Sequence, residues 1–206
     1  MLLTIIGLLS ATVFLIGDYA YFRDTLLGKT APQRVTWGVA FLLNSIGFAN
    51  QYASGASNSL WLFGASVLAT AAIFGASLSK GVGGYSKLDI FAIVTAFIGV
   101  GLWVVFESPV LSIISTLVVV LVSMVPTIAK AKKHPQSETR VTWLLGAIST
   151  LMATVSVGEL NWTLLILPVN ATIIQSYMSY LLYIRAKRQR ETATTPAHGP
   201  ADPIEL

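Results

Sequence analysis

Seven apolar runs set the solvent of this chain before anything else can be asked of it. They cover residues 2–22, 35–53, 60–79, 88–106, 110–128, 141–157 and 162–184. A helix needs about 20 mostly apolar residues to cross a hydrocarbon core, so the runs predict seven membrane helices. Charged residues make up 11% of the chain, against about 25% in soluble domains. The first run starts at the second residue and has neither a basic leader nor a small-residue cleavage site, so it reads as a membrane helix and not as a secretory signal.

Charge placement supports the same division. All 13 basic residues fall after the first, third, fifth or seventh run, among them Arg23, Arg34, Lys87, Lys130 and Arg140, while the opposite loops hold none. Lysine and arginine in short loops stay on the cytoplasmic side. The expected topology has the amino terminus outside and the carboxyl terminus in the cytoplasm, in the inner (plasma) membrane of the cell. The net charge of +4 is then a consequence of topology and no sign of nucleic-acid binding. Residues 190–206, rich in proline and threonine, read as a disordered cytoplasmic tail.

The tetrapeptide Arg-Val-Thr-Trp occurs at residues 34–37 and again at 140–143, each time at the cytoplasmic start of a helix. The likeness extends to the loops beyond, where Gly55 and Asn58 match Gly158 and Asn161. A duplicated three-helix unit accounts for both. Two such units joined directly would lie in opposite orientations, yet both tetrapeptides lie inside. The fourth run, without a counterpart, is therefore read as an inversion linker. The expected fold is all-α, with seven transmembrane helices in a 3+1+3 arrangement: repeats at 1–84 and 108–189, a linker at 85–107, and the tail from 190.

The segment "VPTIAKAKKHPQSETRVTW", residues 125–143, resembles the PQ-loop pattern: a proline near the inner end of a repeat's first helix, a basic loop, Pro-Gln, and the next helix. The membrane part of the chain is similar to the SWEET and PQ-loop superfamily, and in detail to bacterial seven-helix membrane proteins of that type. The resemblance implies a carrier of small molecules working by alternating access, with Pro126 as a hinge. The same register places Ala20 opposite Pro126, so the hinge is implied for the second repeat alone.

Transporters place solute sites near the midplane between repeats, where polar groups are otherwise costly. Asn44, Thr150 at the matching repeat position, Asn170 and Gln175 are the candidate solute-binding residues. Pro168 interrupts the seventh helix beside Asn170, frees a carbonyl one turn back, and is the second candidate hinge. Thr172, Ser176, Ser179 and Tyr183 form one helical stripe, read as a pathway or, more simply, as hydrogen bonds between helices. Trp37 and Trp143 are expected as interfacial anchors, with solute stacking as the alternative, and Trp61 and Trp162 as their outer counterparts. Asp18 and Asp89 are assigned to pairing with Arg23 and Lys87 or a loop cation, with proton coupling as the alternative. Glu107 falls in an outer loop.

Cysteine is absent, both histidines (His134 and His198) lie outside the runs, and the seventh run contains no lysine. Intramembrane metal, haem and Schiff-base sites therefore have no ligands, no cofactor is expected, and nothing points to an enzyme. The expected function is facilitated transport of a small neutral polar solute. A receptor or scaffold of the same fold is the alternative, and a channel a weaker one. A homo-oligomer is compatible with either.

Overall fold

The computed structural model describes residues 1–194 apart from 54, 85, 107 and 108; the position of Glu107 and most of the expected tail thus lie outside the described residues. Seven helices follow one another: α1 (Leu2–Leu26), α2 (Arg34–Ala53), α3 (Leu60–Lys80), α4 (Lys87–Phe106), α5 (Pro109–Lys133), α6 (Arg140–Ser156) and α7 (Trp162–Thr194). A 3₁₀ turn, Pro135–Ser137, lies between α5 and α6. Among the described residues there is no strand, only an isolated bridge between Gln33 and Val82. Four helices contain stretches long and apolar enough to cross a membrane: Leu2–Leu26, Leu60–Lys80, Ile114–Lys133 and Trp162–Lys187. Helix α7 continues as helix through residues 190–194.

Local chemistry explains the helix ends. Gly28, at φ 71°, turns the chain after α1, and the amide of Lys29 closes on the Asp24 carbonyl at 2.8 Å. Left-handed glycine is the common helix stop because it carries no Cβ to clash. Helices α2 and α6 end alike, with Gly55 at φ 79° and Gly158 at φ 76° each two residues past the last helical residue. The Gln33 side chain accepts the Val35 and Thr36 amides at the start of α2, and Asn161 accepts those of Thr163 and Leu164 at the start of α7. Both satisfy amides that have no partner within a helix's first turn.

The helices pack in a closed ring, α1 on α3, α3 on α2, α2 on α5, α5 on α7, α7 on α6, and α6 back on α1. Helix α4 lies outside the ring, against α5 and more lightly against α2. Polarity is inverted relative to a soluble bundle. Ser10, Ser66, Thr70, Ser123, Thr142 and Ser149 are buried, while Ile16, Leu68, Phe97 and Ile173 are each more than half exposed. Such an outward apolar face suits a hydrocarbon solvent, and the buried hydroxyls mostly bond carbonyls of their own helices, as Ser66 and Ser149 do.

Candidate functional site

The interior of the ring holds a cavity of about 180 Å³ lined by all six ring helices and, among the described residues, by none of α4. A cavity of ~150 Å³ accommodates a benzene molecule, so this one has room for a single small solute. Asn44 from α2, Thr150 from α6, and Asn170 and Gln175 from α7 all lie in its wall, as does Pro168. The structure thus brings together the four polar residues singled out in the sequence. Thr150 donates its hydroxyl to the Gly146 carbonyl at 2.8 Å, leaving only lone pairs for a visitor. The Gln175 Oε1 atom is buried without a hydrogen-bond partner. Room for that amide comes from Gly146, where a Cβ would stand 2.6 Å from the Gln175 Cδ.

Pro168 removes the amide that would bond the Leu164 carbonyl. That carbonyl instead accepts the Gln51 side-chain amide from α2 at 3.2 Å, so the broken turn of α7 is held by a neighbouring helix. Pro126 is buried within α5 and does not line the cavity.

Trp37 and Trp143 lie inside the bundle and line the cavity, at 8% and 6% exposure, in place of the interfacial position expected for them. Each centres a core cluster of its own triplet of helices, Trp37 with Tyr21 and Ile73, Trp143 with Met124, Met178 and Leu182. The Trp37 indole donates to the Tyr21 hydroxyl at 3.3 Å, and the Trp143 indole to Glu138 Oε2 at 3.1 Å. Trp61 and Trp162 are exposed on the outer surface. Position at a helix start, which is all the sequence offers, does not say which way a side chain turns.

Below the tryptophans the two basic-end loops are knitted together. Glu138 is buried and ion-paired with Lys130, which also donates to the Ala31 carbonyl. The Ala31 amide bonds the Ser137 carbonyl at 3.2 Å, and the Thr30 and Thr139 hydroxyls meet at 2.6 Å. Arg34 donates to the Ser77 and Gly83 carbonyls and clamps the end of α3.

Two acids differ from their expected pairing. Asp89 accepts from the Gln33 side chain and from the Gly84 and Ser86 amides, with no cation involved. Asp18 is 5% exposed, lines the cavity, and leaves Oδ2 without a hydrogen-bond partner, because Arg23 pairs with Asp24 at 3.0 Å. The apolar run ends at residue 22, but α1 continues to Leu26, which sets Asp18 two turns, about 12 Å, inside the helix end. The stripe on α7 turns away from the cavity: Thr172 bonds the Pro168 carbonyl at 2.8 Å, Ser176 is exposed, and Tyr183 is 64% exposed. Sequence reasoning missed Phe14, Phe63, Ser66, Thr70 and Ser123 as lining residues. For Ser66 and Thr70 the available signal is the recurrence of small hydroxyl residues along α3; the other three carry none.

Among the described residues, no group of histidine, cysteine, aspartate or glutamate is placed to hold a metal ion. The chain matches no protein-family model, no curated protein and no solved structure.

Proposed function

We propose that this chain is a multi-pass carrier of a small polar solute, built from two parallel three-helix repeats joined by α4 and resembling SWEET and PQ-loop proteins. Taking α1, α2 and α3 onto α5, α6 and α7 carries the ring of contacts onto itself: α1 on α3 becomes α5 on α7, and α1 on α6 becomes α5 on α2. One hydrogen bond is made twice under that relation. Thr36 donates to the Ser123 carbonyl at 2.7 Å, and Thr142 donates to the Gly17 carbonyl at 2.6 Å. Thr142 stands 106 residues after Thr36, and Ser123 stands 106 after Gly17. Such reciprocity favours a pseudo-two-fold axis along the membrane normal, the parallel-repeat geometry.

The observation that carries the carrier reading is the cavity inside the ring, whose mostly apolar wall carries a few converging polar groups. Its wall presents Asn44 and Thr150, which are 106 residues apart, together with Asn170 and the unpartnered Gln175 amide. Polar groups at that depth are expensive unless they serve a passenger. Purified protein in liposomes is expected to equilibrate a labelled member of a panel of sugars, amino acids, nucleosides and small amines. Asn44→Ala with Asn170→Ala is expected to abolish that flux. A protein that melts normally and moves nothing across the panel is a receptor or scaffold instead.

A further inference from the structure

Among the described residues Asp18 is the only acidic or basic side chain in the cavity wall, which otherwise consists of aromatic, aliphatic, thioether, amide and hydroxyl groups. No lysine, arginine or histidine lines the cavity, and Asp18 forms no ion pair among the described residues. Tyr21, nearly one turn along α1, is within electrostatic reach of both Asp18 and Glu138, and the charge of Glu138 is matched by Lys130. Burying a carboxylate is costly unless hydrogen bonds or an opposing charge compensate it, and among the described residues Asp18 Oδ2 has no hydrogen-bond partner and Asp18 has no ion pair. Phe14 lies one turn before Asp18, and Trp37 and Trp143 line the same cavity. Aromatic rings combined with one carboxylate constitute the chemistry that recognises an ammonium group.

Asymmetry between the repeats sharpens this. The position matching Asp18 is Met124, also in the wall. One end of a bound solute therefore meets a carboxylate and the other a thioether. The expectation of a neutral solute counted amides and hydroxyls in the core and no carboxylate, whereas Asp18 lies in the cavity wall and Arg23 pairs with Asp24.

We propose that the cavity takes a small organic monocation, a primary ammonium whose charged end pairs with Asp18 beside Trp37 and Trp143 while Asn44 and Gln175 meet its polar remainder. This rests on the cavity being a solute site and replaces a neutral substrate class with a cationic one.

The test uses full-length protein in detergent, isothermal calorimetry, and two probes of nearly equal size, benzylammonium and benzyl alcohol. Wild type is expected to bind benzylammonium about tenfold or more tightly than the alcohol, as a desolvated charge pair requires. Asp18→Asn is expected to bring the two probes level, and Asp18→Glu to keep most of the preference, with melting temperatures confirming that both variants are folded. Equal binding by wild type overturns the cationic class and leaves the solute cavity standing. So does a preference that survives Asp18→Asn, which would place the charge recognition elsewhere. Binding of neither probe also overturns the proposal, and the flux panel then decides separately whether the cavity carries any solute.

Discussion

At the scale of single residues, the interior of this bundle is decided by what is missing as much as by what is present. Gly7 in α1 meets the backbone of Asn58 so closely that an added Cβ would overlap its carbonyl oxygen, and Thr4 reaches the Asn58 side chain at 3.0 Å. Backbone cannot step aside as a flexible side chain can. Gly7→Ala is therefore expected to cost about 1–3 kcal/mol, the usual range for overpacking. Gly75→Ala, which adds a methyl into open space within α3, is expected to raise stability by up to about 1 kcal/mol. Comparing their thermal midpoints in detergent checks the contact; equal midpoints would mean that α1 and the loop before α3 do not touch as described. Gly146 differs from Gly7 because its obstacle is the mobile end of Gln175. Neither role is visible in the sequence, where all three glycines are simply small residues in apolar runs.

Helices are the level at which sequence and structure meet most directly, and α7 illustrates both sides. A proline in an apolar run announces a freed carbonyl, and the carbonyl of Leu164 is free of its own helix. What satisfies it is Gln51, at the far end of α2, which no local rule could select. Gln51→Ala is expected to destabilise the protein by about 1–3 kcal/mol by stranding that carbonyl. In a Pro168→Ala background the residue at 168 regains its amide, and Gln51→Ala is expected to cost less, with a coupling of roughly 0.5–3 kcal/mol between the two sites. Additive costs in a detergent unfolding series would contradict the bond. Helix α1 shows the opposite limit. Its exposed face carries Leu8, Leu9, Leu15 and Ile16, and its buried face carries Gly7, Ser10, Ala11, Gly17 and Asp18, so small and polar residues mark the inner side, the reverse of a soluble amphipathic helix.

For the whole molecule, the ring, the cavity and the joined basic-end loops form one system. Lys130 bonds both Glu138 and the Ala31 carbonyl, and so ties the loop before α2 to the loop before α6. Removing one partner of such a pair leaves a buried charge uncompensated. Because the chain contains no cysteine, Ser66→Cys in the cavity wall is a unique reporter. Lys130→Met is expected to raise its labelling by a water-soluble maleimide applied at the basic end at least several-fold, while the protein remains folded by circular dichroism. An unchanged rate would show that these loops do not control access from that end.

Much of the fold was legible from the chain alone because its causes are local. Apolar length, charge segregation, capping residues and helix-stopping glycines each act within a turn or a loop, so seven helices and their approximate ends follow from residue order. Asn44, Thr150, Asn170 and Gln175 could be picked out because a polar side chain within an apolar run is costly wherever it points. Direction was another matter. Whether Trp37 and Trp143 face the rim or the cavity, whether Asp18 finds Arg23 or stands alone, and whether the α7 stripe looks inward all depend on how each helix is rotated against its neighbours. That rotation is set by contacts between residues far apart in sequence, such as Thr142 with Gly17 and Gln51 with Leu164. In a bilayer, where lipid tails are as apolar as leucine, hydrophobicity does not choose the inner face, and packing and interhelical hydrogen bonds do. The sequence by itself therefore determined the solvent, the helices and their polar residues, and only the tertiary structure decided which of those residues meet.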